Sequence, residues 1–219
     1  MLNPVGKRCR GAAMIEFHIV ALFALLPLCL GTVQTALLMV ENHHLDHAAF
    51  LAARHGAVMH GELSEVKKAF ARAATPLFVG SGTPLDRGNV AARVAAAYAT
   101  ATADITAYAR VQLLAPDADA RADFAIRRDR RQVIPNDALE SRSVAPGRRS
   151  GISLQQANVL RLEISYCRPL IVPFAGPLLV GTLRLLDHDL WHQRCYAAGR
   201  IPVRSEGVAP MQSDFRVTS

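Results

Sequence analysis

From Ile19 to Val40 the chain carries no formally charged residue, and a run of that length spans the hydrocarbon core of a bilayer as a single helix. This segment constrains the fold more than any other. Inside a bilayer no water is present to satisfy a peptide group, so the run must be helical. It contains Pro27, Gly31, Thr32 and Gln34. All four are tolerated in a spanning helix, though Pro27 removes a backbone donor and is expected to kink or loosen the helix around it. Apolar residues make up 51% of the 219-residue chain and aromatics only 6%. Much of the apolar content therefore belongs to Ala- and Leu-rich helix rather than to a dense aromatic core.

Charge gives the run a direction. Lys7, Arg8 and Arg10 precede it, and the first Arg after it is Arg54. By the positive-inside rule the N-terminus is expected in the cytoplasm and everything after Glu41 outside it. A cleaved secretory signal fits less well, because the run exceeds a signal core and no clean A-x-A follows it. A lipoprotein signal at Leu26-Pro27-Leu28-Cys29 lacks the small residues before the Cys. The net charge of +7 raises nucleic acid as a partner. The cluster Arg127, Arg128, Arg130 and Arg131 is interrupted by Asp129, and neither it nor Arg148-Arg149 is interleaved with aromatics for base stacking. The reading is a solvated basic face, with no nucleic-acid partner.

Glu16 is the informative residue, in Gly11-Ala12-Ala13-Met14-Ile15-Glu16-Phe17. A carboxylate at the bilayer centre costs roughly 2.5–3.5 kcal/mol on insertion scales, less near the interface. Taken alone, Glu16 could simply favour the positive end of a helix dipole. Taken with Gly11 and the basic leader, the pattern resembles the type IV prepilin processing site. In that family an intramembrane aspartic peptidase cuts after the Gly, and the new amine is methylated. The resemblance implies a cut between Gly11 and Ala12, with Glu16 as the fifth mature residue and Phe17 beside it as assembly residues. The Glu16 carboxylate would offset the Ala12 amine of a neighbouring subunit. Many pilins begin with Phe after the cut, whereas this chain would begin with Ala12.

Three further segments point to a branch of that family: Ala48–Ala57, with one Arg among small residues; Ala157–Ile164 leading to Tyr166-Cys167 and Val172-Pro173; and Ile201-Pro202-Val203 followed by Met211-Gln212-Ser213. With the Gly11–Phe17 site, they resemble the TadE-like pseudopilins of the tight-adherence (Flp pilus) system. The resemblance implies a prepilin peptidase, other pilin-like subunits and pilus secretion machinery as partners. It also implies the bacterial inner membrane as location, and no enzymatic activity.

Periodicity organises the exported part. The membrane helix is expected to continue to about Met59. Glu62–Phe78 repeats Leu63, Val66, Ala69, Phe70 and Ala73 at amphipathic spacing. Val79–Pro84 reads as a turn. Asn89 is placed to cap an Ala-rich helix running to about Leu114, before Pro116. Strand texture follows at 123–133, 159–166 and 200–204, with Leu160, Leu162, Ile164 and Tyr166 forming one apolar face. Residues 141–151 read as an exposed loop. The expected architecture is α+β and pilin-like in outline. A leader (1–11) and a transmembrane helix (12–40) are followed by an extracytoplasmic helical region (41–115) and a small α+β region with a short sheet (116–219).

Other constellations carry less. Cys167 and Cys195 would form a disulfide if exported, stabilising the domain by roughly 3 kcal/mol in the loop-entropy model; two unpaired thiols are the alternative. His43 and His47 share a helix face, but only Asp46 is near enough to complete a metal set, so no metal or cofactor is assigned. Asp187-His188-Asp189 with His192 is explained by a turn after an apolar helix. Asp117, Asp119 and Asp123 resemble a calcium loop, but Ala122 and Arg128 stand where Gly and Glu are needed. The alternative to the pilin reading is an uncleaved single-pass anchor whose outer domain binds metal or an envelope partner.

Overall fold

The computed structural model describes residues 10–79, 89–170 and 175–217. The basic leader residues Lys7 and Arg8, Cys9, the expected turn from Gly80 onward, and Val172-Pro173 lie outside the described residues. The chain divides into two compact units, Met1–Met39 with Pro169–Ile201, and Val40–Arg168 with Pro202–Ser219. The break at Val40 falls one residue before Glu41, where the charge-free run ends.

Helix α1 (Arg10–Val20) passes through a π-helical turn (Ala21–Leu25) into α2 (Leu26–Val58). The π-turn has a local cause. Pro27 has no N–H for the Phe23 carbonyl, and its ring crowds that turn. The preceding turn widens instead, with the Leu26 N–H bonding to the Ala21 carbonyl. Thr32 and Thr35 return their hydroxyls to the carbonyls of Cys29 (2.8 Å) and Gly31 (2.9 Å), which satisfies both without water. At 1.5 Å per residue the whole run is roughly 70 Å long, about twice what a hydrocarbon core requires. The part before Val40 exposes large apolar side chains, among them Phe17 (68%) and Phe23 (75%).

Beyond Val40 the same helix changes character. Leu45, Ala48, Ala49, Ala52, Ala53 and Ala57 are all at most 1% exposed, the i, i+3, i+4 stripe of a helix facing a core. The helix ends where His60 and Gly61 take positive φ (60° and 75°), with the Gly61 N–H reaching the Gly56 carbonyl at 2.8 Å. Helix α3 (Leu63–Ala74) then packs Val66 and Phe70, both fully buried, and helix α4 (Val90–Tyr108) follows.

The principal sheet has strand order β1 (Ala109–Ala115), β4 (Val159–Pro169), β5 (Arg200–Pro210). Strands β1 and β4 are antiparallel, with Val111 opposite Ile164 and Leu113 opposite Leu162. As the alternation predicts, Leu160, Leu162, Ile164 and Tyr166 are at most 1% exposed. Each such burial contributes about 1.5–3 kcal/mol. The sheet approaches α2 closely because both surfaces are small. A Cβ at Gly207 would fall on the Ala49 carbonyl, and one at Gly56 would meet Val66 at 2.6 Å and Leu160 at 3.1 Å. Between β1 and β4 the chain forms helix α5 (Ala118–Phe124), the hairpin β2 (Ile126–Arg128) and β3 (Arg131–Ile134), and helix α6 (Leu154–Ala157). A second sheet joins β2, β3 and β6 (Phe215–Arg216). Helices α7 (Ala175–Leu186) and α8 (Leu190–Ala197) lie between β4 and β5. The fold is α+β, led by a long apolar helix.

Two expectations need correction. The Ala-rich helix ends at Tyr108 rather than near Leu114, because residues 109–115 are claimed by β4 as the strand β1. The strand expected from Asp123 begins only at Ile126, because Asp117 caps α5 through the Ala120 N–H (2.8 Å) and so draws Asp123 into that helix.

Candidate functional site: the N-terminal helix and its outer boundary

Gly11 and Ala12 are both helical, in α1. Gly costs a helix about 1 kcal/mol relative to Ala, so the helix is intrinsically weaker at Gly11. One turn further in, Glu16 and Phe17 are both exposed. Phe17 meets the His18 ring edge-on at 6.0 Å, and His18 Nδ1 is 2.5 Å from the Met14 carbonyl. Among the described residues Glu16 has no hydrogen bond or ion pair.

At the other end of the charge-free run Glu41 has a different fate. The Arg168 guanidinium donates to both of its carboxylate oxygens, Nε to Oε2 at 2.8 Å and Nη2 to Oε1 at 2.6 Å. The side chains are only 13% and 6% exposed. Burial pulls the Arg168 guanidinium's pKa down, but the Glu41 bonds and charge outweigh it and the net direction is up. The bidentate geometry is what makes such a pair affordable in a partly dry setting. Sequence reading passed over it, since its two halves are far apart along the chain.

The segments at 157–167 and 201–213 serve as scaffold. The Gln212 N–H (3.1 Å) and Ser213 hydroxyl (3.0 Å) both bond to the Ala57 carbonyl, capping the end of α2, and the Met211 N–H bonds to the Asn158 carbonyl at 2.8 Å. The Tyr166 hydroxyl donates to Asp104 on α4. Ile201 and Val203 are each 8% exposed. Cys167 and Cys195, at 3% and 0% exposure, are both disulfide-bonded, whereas Cys29 is a free, exposed thiol.

The acidic clusters find structural employment. Asp123 Oδ2 accepts from the Arg149 N–H (2.9 Å), the Ser150 N–H (2.8 Å) and the Ser150 hydroxyl (2.9 Å), pinning the 141–151 loop. Those bonds, the Ser150 amide foremost, lower its pKa. Asp189 caps α8 through the Trp191 (2.8 Å) and His192 (3.0 Å) amides. Asp187 accepts from the Asp189 amide (3.0 Å) and the Tyr196 hydroxyl (2.8 Å) and pairs with His192 Nδ1 (2.6 Å). The amide bond, then the tyrosine, hold the Asp187 carboxyl down to about 2, and burial with the same carboxylate pushes Tyr196 up to about 12.

His43, His44 and His47 are exposed on α2, and His55 sits 3.8 Å from Glu65. Among the described residues no group of three His, Cys, Asp or Glu side chains is placed to hold a metal ion. In the basic region Arg128 pairs with Asp214 (2.7 Å) and Asp137 (3.2 Å). Arg130, Arg131 and Arg216 line an open cavity of about 690 Å³ with His60, Glu62 and Gln132. Its lining includes no Phe, Tyr or Trp.

By length and composition the helix from Met14 to Val58 is able to cross a membrane, which suggests a single-pass membrane protein. No curated protein and no solved structure matches the chain. A family model does: the one described as TadE-like protein matches residues 11–54, from Gly11 through the apolar run to Arg54 at the start of the buried alanine stripe. Across its N-terminal helix the chain is similar to the TadE-like family.

Proposed function

We propose that the chain is a minor pilin or pseudopilin of a tight-adherence (Flp-type) pilus or of the secretion complex that assembles it. It is a substrate of a prepilin peptidase, which cuts between Gly11 and Ala12, and not an enzyme. The N-terminus faces the cytoplasm of a bacterial inner membrane and the α+β part faces outward, following the basic leader. The observation that carries the reading is Glu16: a carboxylate with no partner among the described residues, exposed on an apolar helix, five residues after a Gly, inside the TadE-like match. A neighbouring subunit's Ala12 amine would complete it. In a water-poor contact such a pair is favourable only when closely matched, so it selects the axial register between subunits.

The test is the N-terminal sequence and intact mass of membrane-extracted protein, made with and without a prepilin peptidase. An N-terminus at Ala12 only when the peptidase is present supports the proposal, and Gly11→Leu should then leave the leader attached, because a Cβ obstructs approach to the scissile bond. An intact Met1 in both samples would reduce the chain to a signal-anchored protein.

A further inference from the structure

A second segment is nearly free of charge. From Pro169 to Leu186 the only charged residue is Arg184, and Pro173 and Pro177 interrupt the run. Its helix, α7, has only 12 residues, too few for a straight spanning helix, and a run of this kind belongs to a buried, re-entrant or interfacial element. Burial within the chain does not account for it. Leu185, Leu186 and Leu190, at the end of α7 and the start of α8, are 79%, 78% and 84% exposed. Three adjoining leucines facing water would form an apolar patch of the kind that marks a contact surface.

The surroundings identify what covers them. Helix α7 belongs to the same compact unit as the helix up to Met39. Leu179, from the middle of α7, lines an open cavity of about 560 Å³ with Pro27, Leu28, Gly31, Thr35 and Met39. Those residues occupy roughly the last 18 Å of the charge-free run before Glu41, more than half the hydrocarbon thickness. An element packed there lies at the depth of acyl chains. The outward surface of the run is itself apolar, with Leu28 65% and Met39 63% exposed, so the leucine patch is on an element beside an existing lipid-facing surface. Polarity returns abruptly at Asp187, His188 and Asp189. Next to them stands Trp191, the chain's single tryptophan, the residue type enriched at headgroup level.

We propose that α7 and the first turn of α8 form a second membrane-embedded element. It lies in the bilayer leaflet nearest Glu41, with Leu185, Leu186 and Leu190 among acyl chains and Trp191 at the headgroup boundary. The proposal rests on the reading of residues 12–40 as a spanning helix. It makes the membrane contact a two-point one: the long helix fixes position along the bilayer normal, and α7 fixes rotation about that normal. A subunit held in this way presents one chosen side to its neighbours.

The single tryptophan makes the test direct. The full chain is reconstituted in phosphatidylethanolamine–phosphatidylglycerol vesicles whose lipids are brominated either near the headgroup or near the chain ends. Trp191 emission is read with each lipid and with aqueous iodide, and carbonate washing checks the spanning helix independently. The expected result is carbonate-resistant protein with blue-shifted emission, protected from iodide and quenched about twofold or more, most strongly by the shallow bromines. Leu185→Glu with Leu186→Glu should restore iodide quenching while leaving carbonate resistance intact. Iodide-accessible Trp191 in carbonate-resistant protein would overturn the proposal and leave the spanning helix standing. Protection from both lipid and iodide would overturn it in favour of a protein partner on the patch. Release by carbonate would remove the spanning helix, and the proposal with it.

Discussion

Glu16 and Glu41 bracket the charge-free run, and the chain treats them in opposite ways. Glu41 is held by both donors of one Arg168 face, whereas Glu16 has no partner among the described residues. Removing one member of a mostly buried pair leaves the other charge stranded, at a cost of about 3–5 kcal/mol. Glu41→Ala should therefore lower the thermal unfolding midpoint of the detergent-solubilised chain markedly. Glu41→Leu combined with Arg168→Leu should recover most of the loss, since two apolar groups strand no charge. Equal losses in the single and double variants would mean that packing, not the pair, is what matters. Glu16→Ala should leave the midpoint unchanged and processing intact, because the scissile bond is untouched. Co-purification of partner pilins should fall, and wild-type recovery of those partners would remove the proposed intersubunit ion pair.

Helix α8 and its Asp187 anchor show how a single element acquires acid sensitivity. The Asp187 carboxyl titrates at about 2 in the folded chain, below the ordinary aspartate value of about 3.9. A carboxyl with a depressed folded pKa adds stability that is present above its unfolded pKa and is lost as pH falls through the folded one. Asp187→Asn should therefore lower the unfolding midpoint near neutrality and flatten its decline between about pH 4 and about pH 2. Unfolding followed across a pH series checks both. The elements also show where sequence reading succeeds. The 159–166 strand was legible because its alternation is local, with Leu160, Leu162, Ile164 and Tyr166 on one side. Strand β1 was not, because alanine-rich helix propensity runs straight into it and its partner lies some fifty residues later. The bonds from Arg149 and Ser150 to Asp123 are nonlocal in the same way. The candidate site was legible at Gly11 and Glu16, whose signal is spacing. It was not legible at Arg168, whose meaning depends on Glu41, or at α7, where an apolar helix reads alike whether protein or lipid surrounds it.

For the molecule as a whole, the decisive feature is that one helix is solvated twice. Up to Met39 most of its large apolar side chains are exposed, and from Leu45 its alanines are enclosed by the strands and helices of the α+β part. The buried stripe beyond Val40 is apolar, like the exposed surface before it; what separates these two apolar surfaces is side-chain size. In lipid a larger apolar group is accepted, whereas beneath the sheet each added methylene must displace packed atoms at about 1–3 kcal/mol. Replacing Ala24, Ala36, Ala48, Ala49, Ala52 and Ala53 by Leu, one at a time, should thus give a step in unfolding midpoint and not a slope: little change through Ala36, and a sharp loss from Ala48 onward. The helix is in that sense graduated like a gauge rod. The residue at which side-chain growth ceases to be tolerated marks the foot of the packed α+β part, and on the proposed reading drawing the helix out of a membrane would not move that mark.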